Sequence, residues 1–293
     1  EIHGERATQP PPGAAGRRQH GGPAGALTAL ARVYGVLLQT EMAVQLQYRA
    51  ALVIWLIGLV LQPVVSLVVW RTVAASQGGE VGGFSGGDLA AYFLVLMVVN
   101  HLTFTWIMWE FEYRVRSGDF SPWLLQPLHP IHRDIAENVS YKLLTLVALL
   151  PVMALLAWAF EPTFDLHLWS LAAFVPALLL AFLTRFLVEW ALALASFWTT
   201  RVSALNELYF AALLFLAGRM APLELMPGWV QVLSSVLPFR WMVAFPVELL
   251  VGRLTPAQAV RGLGMQAGGL LLALGVIALL WRRGVRRYAA VGS

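Results

Sequence analysis

The stretch that decides the fold is AALVIWLIGLVLQPVVSLVVW, from Ala50 to Trp70. It holds 21 residues without a charge and lies between Arg49 and Arg71. About 20 mostly apolar residues are needed to carry a helix across roughly 30 Å of hydrocarbon. The stretch therefore predicts a membrane-crossing helix.

Five further stretches resemble this one in length or in apolar character. Together they predict six transmembrane helices, at residues 50–70, 89–109, 143–160, 170–198, 203–219 and 262–281. The fourth stretch is long and contains Arg185 and Glu189, whereas the fifth is short and contains Asn206 and Glu207. We therefore predict an all-α polytopic membrane protein with a single transmembrane domain over residues 27–288.

The composition of the whole chain agrees with a membrane domain. Of its 293 residues, 59% are apolar, 12% are charged and none is cysteine. Soluble domains carry roughly 25% charged and 45–50% apolar residues, so a water-soluble enzyme is excluded. Without cysteine there is no disulfide and no thiolate metal site. The net charge of +4 requires no nucleic-acid partner, because the basic run at residues 282–287 is explained as an anchor on anionic lipid.

The placement of Lys and Arg predicts the orientation of the chain, because cytosolic loops carry an excess of both. With the N-terminus in the cytosol, fourteen of these residues fall on the cytosolic side and five on the other side. We therefore predict a multi-pass protein of the inner (plasma) membrane with both termini in the cytosol. Residues 1–26 are rich in Pro and Gly and predict a disordered cytosolic tail, and residues 289–293 predict a second short tail.

The segment before the first crossing has a helical pattern of its own. From Leu27 to Tyr48, apolar residues recur at helical spacing opposite polar ones. This pattern predicts an amphipathic helix in the membrane interface, with Arg32 and Glu41 on its polar face.

The segment before the last crossing is broken by prolines. Residues 221–245 are mostly apolar, but proline breaks helices because it lacks an N–H and clashes with the preceding turn. We therefore predict a re-entrant helical hairpin between the fifth and sixth crossings, in which short helices enter the membrane and return. Its prolines are Pro222, Pro227 and Pro238.

A polar segment separates the second and third crossings. It reads EFEYRVRSGDFSPWLLQPLHPIHRDIAENVSYK and runs from Glu110 to Lys142. Charged and apolar residues alternate at its start, which indicates that the second helix continues beyond the membrane. Ser117 and Gly118 then favour a helix end, and Asp119 is placed to cap the next helix.

An apolar cluster follows this predicted turn. Its members are Phe120, Trp123, Leu124 and Leu125, and Pro127 ends it. An exposed apolar cluster rimmed by charge is typical of a partner surface. The alternative is a segment that lies on lipid headgroups, and we favour the partner surface.

Three residues further along have the side chains of metal ligands. His129 and His132 lie close to Asp134 in the sequence, but Pro130 between the two histidines disfavours one regular helical face. We therefore expect a solvated loop here and no metal site.

Charged residues inside the fourth crossing are costly, at about 2.5–3.5 kcal/mol or more for each charge at the bilayer centre. Arg185 and Glu189 are one turn apart and neutralise each other on one helical face. Either they line the transport pathway or dock a partner, with Glu189 attracting a cationic cargo, or they form a structural pair in which Arg185 snorkels. His101, in the second crossing, is more typical of a packed histidine than of a relay.

The sequence has no motif for binding a nucleotide. Its only lysine is Lys142, between Tyr141 and Leu143, whereas a phosphate-binding loop requires G-x-x-x-x-G-K-[ST]. Neither H-E-x-x-H nor G-x-S-x-G occurs. We therefore expect a permease rather than an enzyme, with no cofactor bound by this chain.

Taken together, these features resemble the permease subunits of ABC-2 type ABC transporters. The likeness covers residues 27–288 and rests on the six crossings, the amphipathic helix, VRSGDFSPWLLQPLHP at residues 115–130 and LPFRWMVAFPVELLVGRL at residues 237–254. It is nearest to a bacterial branch related to viologen and drug exporters.

The resemblance implies a division of labour between subunits. Two permeases, usually different chains, form the path, and two separate ATPase subunits bind ATP and Mg²⁺. The polar segment between crossings two and three corresponds to the loop that couples to the ATPase, and the residues carried over by position are Arg114, Arg116, Gly118, Asp119, Phe120, Trp123 and Leu125. The amphipathic helix corresponds to a connecting helix, and the proline-rich hairpin to an outward gate.

The predicted function is therefore ATP-driven export of a hydrophobic or amphipathic compound, such as a drug, a lipid or a lipid-linked molecule. One alternative is an ion-coupled secondary transporter with His101, Arg185 and Glu189 as its relay, although such folds tend to show two similar halves, which this sequence lacks. The other is a lipid-modifying membrane enzyme, for which only the residues around His129 qualify.

Overall fold

The computed structural model describes residues 23–199 and 202–288. In this part of the chain the helices are α1 (Pro23–Gln47), α2 (Arg49–Ser76), α3 (Gly86–Thr103), α4 (Ile107–Ser117), α5 (Ser121–Leu124), α6 (Pro130–Phe160), α7 (Leu168–Ala193), α8 (Ser203–Leu216), α9 (Gly228–Val236), α10 (Phe239–Met242), α11 (Ala244–Leu250) and α12 (Pro256–Val285). Two 3₁₀ turns, Leu194–Phe197 and Leu223–Leu225, add to them. The strands β1 (Glu80–Val81) and β2 (Phe84–Ser85) pair antiparallel, with Glu80 opposite Ser85. The predicted tail at residues 289–293 and most of the one at residues 1–26 lie outside the described residues.

Five helical segments of the described chain are long and apolar enough to cross a membrane. They are Ala50–Ser76, Gly86–Ser117, Pro130–Phe160, Leu168–Phe197 and Pro256–Val285. Each overlaps one of the predicted crossings, namely the first, second, third, fourth and sixth. An all-helical membrane protein with several crossings is therefore confirmed.

The predicted crossing at residues 203–219 is shorter than a full span. Its helix, α8, has 14 residues, which is about 21 Å at 1.5 Å per residue. The two ends of α8 nevertheless lie near opposite ends of the span Gly86–Ser117. Ser203 lines the same groove as Ser117, whereas the Gly218 carbonyl accepts a hydrogen bond from the Tyr92 hydroxyl in α3 (2.9 Å). The count of six crossings stays a prediction.

The proline-rich segment forms short helices, as expected. Pro222 directly precedes a 3₁₀ turn, Pro227 precedes α9 and Pro238 precedes α10. Proline is tolerated at a helix start because the first N–H groups have no partner within the helix. That these helices enter the membrane and return stays a prediction.

The N-terminal helix packs on α6 with part of its polar face, which differs from the expectation. Glu41 is buried rather than exposed to solvent, and its Oε1 lies 3.4 Å from Nε of Arg133. The Tyr34 hydroxyl bonds Nδ1 of His132 (2.9 Å). Arg32 is exposed, as predicted. Amphipathic spacing identifies two faces of a helix but not which one meets the rest of the protein.

The span Gly86–Ser117 lies at the centre of the molecule. Most of its residues are buried, whereas a third or less of each other span is buried in the chain. The span is not one continuous helix, because α3 ends at Thr103 and α4 begins at Ile107. The second crossing predicted at residues 89–109 lies within this span. The break, which the sequence did not predict, falls near the end of that crossing.

The third crossing begins earlier than predicted. α6 starts at Pro130, so the solvated loop expected around His129 and Asp134 is wrong. Pro130 occupies the first position of the helix, where its missing N–H leaves no helical hydrogen bond unmade. The Asp134 side chain is fully buried.

The packing of α12 on α11 yields a stability prediction. A Cβ added at Gly262 would lie 2.0 Å from Cε2 of the buried Phe245 ring, whereas one at Gly264 meets nothing within 4 Å. We expect Gly262→Ala to lower the free energy of unfolding by about 1–3 kcal/mol through overpacking. Gly264→Ala is the matched control and should raise it by about 0.5–1 kcal/mol, because alanine is the better helix former and its Cβ meets no other group. Unfolding by SDS in mixed micelles measures both; equal effects would contradict this packing.

Candidate functional site

The segment between the central span and α6 (residues 118–129) is a turn that contains α5, and we call it the elbow. α4 ends at Ser117, and Gly118 follows with φ of 82°. This left-handed conformation favours glycine because a Cβ would be strained there. The break predicted at these two residues is confirmed. Asp119 does not cap α5; its Oδ2 accepts a hydrogen bond from the Ser117 hydroxyl (2.7 Å), and the residue is exposed.

Phe120 is fully buried, which corrects its assignment to an exposed partner surface. Its ring packs against aromatic rings from three other parts of the chain. These are Phe111 of α4 (4.8 Å between centroids), Phe197 after α7 (5.7 Å), and Trp281 (6.2 Å) and Tyr288 (5.9 Å) at the end of α12. Phe120 therefore anchors the elbow to the ends of the spans and is not available to a partner.

Arg114 is also buried, so it too is corrected from a surface residue to an internal one. Its Nη1 donates to Oδ1 of Asp134 (2.7 Å), and the other oxygen of Asp134 accepts from Nε1 of Trp190 in α7 (2.9 Å). The guanidinium also lies over the Trp123 ring (4.4 Å), where Arg133 contacts the same ring (4.6 Å). These contacts fix α4, α5, α6 and α7 to one another.

Only part of the predicted coupling set faces outward. Arg116, Asp119 and Leu125 are exposed, and Leu125 is 87% exposed. With the exposed Gln126 and Pro127 they form what we call the elbow surface. Its residues are accessible because they are exposed. The surface is also firmly attached to the spans, because the neighbouring Arg114 and Phe120 make buried contacts with them.

His129 joins the elbow to α6. Its Nδ1 accepts from the backbone N–H of Ile131 (3.3 Å), and its ring packs on Trp281 with centroids 4.3 Å apart. Burial, and after it the charge of His132, lowers the pKa of the His129 ring below its usual range, which favours the neutral form. Since both oxygens of Asp134 are occupied, the three residues do not converge as ligands.

The second group of candidate residues lies deep in the spans. Arg185 and Glu189 are fully buried, and Nε of Arg185 lies 2.9 Å from Oε1 of Glu189. Arg185 Nη1 also donates to Oδ1 of Asn100 and to the hydroxyl of Thr103, both at 3.1 Å. Arg185 therefore does not snorkel to an interface.

Glu189 has no oxygen free for a cationic cargo. Besides Arg185, it accepts hydrogen bonds from the hydroxyls of Thr105 and Tyr209. His101 is not part of this cluster, because its Nε2 bonds Thr145 of α6 (3.1 Å). The predicted relay is not assembled, and the geometry favours the interpretation of Arg185 and Glu189 as a structural pair.

A comparison with protein families identifies the chain. A family model described as ABC-2 family transporter protein matches residues 60–292, which is most of the sequence. The chain belongs to the ABC-2 family. It is thus an ABC transporter permease, a multi-pass membrane subunit. No curated protein and no solved structure matches it.

The permease also contains functional candidates that the sequence did not single out. Five residues complete the deep cluster or contact it, and each is an ordinary polar residue in an apolar helix. They are Asn100, Thr103, Thr105, Lys142 and Tyr209. The available signal was a count of polar residues within the predicted crossings, because each needs a partner at membrane depth.

A groove beside the elbow of the permease is another feature that the sequence did not predict. It has a volume of about 540 Å³ and lies between α4 and the start of α8. Its lining is mixed, with aromatic rings next to an ion pair and two hydroxyls. The lining residues are Trp109, Glu112, Tyr113, Arg116, Ser117 and Ser203.

The bracing of the elbow can be tested with two aspartates. Asp134→Ala removes the shortest of three carboxylate contacts of the buried Arg114 guanidinium, the others being Glu110 and Glu137. It also removes the acceptor of the Trp190 indole N–H, and we expect it to cost about 2–3 kcal/mol of unfolding free energy. Asp119→Ala is the matched control, because that carboxylate is exposed, and we expect a change below about 0.5 kcal/mol. Thermal or SDS unfolding of the permease measures both. A fully stable Asp134→Ala variant would contradict the brace.

Proposed function

We propose that this permease exports a hydrophobic or amphipathic compound and is driven by separate ATPase subunits that bind the elbow surface. ABC-2 permeases generally work with ABC ATPase partners. In this proposal two ATPase chains hold ATP and Mg²⁺, and a second, different permease completes the path. In this proposal the elbow lies on the cytosolic side, because that orientation places most of the Lys and Arg residues outside the spans in the cytosol.

The observation that carries the proposal is the combination of exposure and bracing at the elbow. Leu125 and Asp119 face outward, while Phe120 and Arg114 directly beneath them are buried among α4, α6, α7 and α12. Interiors packed to this density transmit displacement rather than absorb it. A subunit that moves the elbow surface would therefore move several spans together.

The nature of the spans supports an apolar cargo. Along the fourth span the only charges are Arg185 and Glu189, and they neutralise each other. A strongly hydrophilic cargo would meet few unpaired polar groups on such helices, whereas a drug-like or lipid-like molecule would bury its apolar surface. We propose that the short helices built around Pro222, Pro227 and Pro238 cap the path on the outer side.

Coupling to an ATPase is tested with two equally exposed leucines. Leu125 in the elbow and Leu168 at the far end of α7 are each 87% exposed. We expect Leu125→Asp to abolish copurification with a coexpressed ABC ATPase, because it places a charge in the proposed contact. Leu168→Asp should copurify like the unchanged chain. ATP hydrolysis by the reconstituted complex gives the second measurement.

Two results would contradict the proposal. One is that the unchanged permease binds no ABC ATPase and stimulates no ATP hydrolysis. The other is that Leu125→Asp and Leu168→Asp behave alike in both measurements. In inverted membrane vesicles, ATP-dependent accumulation of a fluorescent hydrophobic dye would support export.

A further inference from the structure

The central span is interrupted by three residues, Phe104, Thr105 and Trp106, of which Thr105 is fully buried. The N–H of Phe104 still bonds the carbonyl of Asn100 (2.8 Å), but its φ and ψ of −58° and 139° turn the chain out of the helix. The helix restarts on the carbonyl of Trp106. No proline or glycine lies within the break. The β-branched Thr103 and Thr105, and the bond of the Thr103 hydroxyl to the Val99 carbonyl (2.9 Å), weaken the helix here, but such residues do not by themselves end a helix.

Side chains from two other helices hold the break. From α6, Nζ of Lys142 donates to the freed carbonyl of Phe104 (2.8 Å). From α7, Glu189 accepts the hydroxyl of Thr105, and Arg185 bonds Thr103 just before the break. An unsatisfied backbone group inside the protein would cost several kcal/mol, so the Lys142 contact replaces a helical hydrogen bond, while the contacts of Glu189 and Arg185 fix the neighbouring side chains.

The buried charges around the break do not balance, because two side chains are cationic and one is anionic. Lys142 and Arg185 are both buried beside the single carboxylate of Glu189, and the charges of Arg185 and Glu189 both act on the Lys142 amine. Among the described residues no carboxylate lies within bonding distance of the Lys142 amine; its other contacts are Oδ1 and the backbone carbonyl of Asn138, at 3.5 and 3.4 Å, and the Phe182 ring, whose centroid is 4.9 Å from Nζ. A buried amine held by oxygen acceptors and an aromatic ring, without a carboxylate, is a costly group.

The two halves of the central span have different neighbours, apart from α7, on which both pack. α3 packs against α2, α6, α7 and α11, and its Tyr92 is bonded to Gly218. α4 continues into the elbow, where Arg114 and Phe111 join it to the braced turn. A movement of the elbow therefore acts directly on α4, whereas it reaches α3 through residues 104–106 and through the packing of α6 and α7.

We infer that residues 104–106 are a hinge and that Lys142 is the positioning residue that sets it. The inference rests on the proposed function, since it names where the push of an ATPase on the elbow becomes a bend in the central span. In this cycle α4 swings with the elbow while α3 stays packed. The amine of Lys142 holds the Phe104 carbonyl in the state described here and releases it when α4 moves.

The hinge can be tested on the whole chain with spin labels, because the protein has no cysteine of its own. Val147 of α6 is exposed and serves as a shared reference. A label at the exposed Tyr113 reports α4 on one side of the break, and a label at the exposed Glu80 reports the hairpin that leads into α3 on the other. Distance distributions are measured in lipid nanodiscs.

The test compares Lys142→Met with Ser140→Ala, which removes a buried hydroxyl of α6 that bonds the Leu38 carbonyl of α1 rather than the central span. We expect Lys142→Met to broaden the Tyr113–Val147 distribution at least twofold and to leave the Glu80–Val147 distribution unchanged. Ser140→Ala should broaden neither, and Lys142→Arg should restore a narrow distribution. Broadening of both pairs by Lys142→Met, or of neither pair, would overturn the hinge.

Trapping the complex with ATP and vanadate distinguishes a failure of the hinge from a failure of the proposed function. A shift of the Tyr113–Val147 distance without a shift of the Glu80–Val147 distance is expected. Equal shifts of both would mean that the central span moves as a rigid rod. If no ATPase binds, the proposed function fails, while the measurements on the chain alone still decide whether the break bends.

Discussion

At membrane depth no water is available, so every buried polar group needs a partner inside the protein. This constraint explains the deep cluster, in which Glu189 satisfies Arg185, Thr105 and Tyr209 at once. It also explains how a central helix can be interrupted, because the Lys142 amine lies beside the break and donates a hydrogen bond to the Phe104 carbonyl. The rest of the architecture follows from it, since the surrounding spans must enclose these groups while their other faces stay apolar.

The same constraint acts at the elbow, with a different outcome. There a buried ion pair, Arg114 with Asp134, is reinforced by Trp190 and by the aromatic rings around Phe120. The elbow is therefore stiff, whereas the break in the central span is held by a few side-chain contacts from neighbouring helices. A braced turn next to an interruption held by a few side chains is an arrangement in which a force on the elbow bends the central span at one place.

The elbow also shows how far the sequence could predict the site. Its position was evident, because a polar segment between two apolar spans has to leave the membrane. The roles within it were only partly correct: Asp119 and Leu125 are exposed, but Arg114 and Phe120 are buried. An apolar residue in a short turn can pack against a partner or against the ends of the protein's own helices. Which of the two it packs against depends on where those helix ends lie. Glu41 was misjudged for the same reason.

The sequence by itself determined the number and approximate limits of the long spans, because a bilayer is a solvent of fixed thickness and selects for length and hydropathy. It also determined the family, through the match over residues 60–292. Only the tertiary structure decided which polar groups meet and where the central span breaks. Lys142 and Phe104 are 38 residues apart, and the only local signal at Phe104 is the weak helix propensity of the neighbouring Thr103 and Thr105. Their contact depends on how α6 lies against α3, which is a property of packing rather than of spacing along the chain.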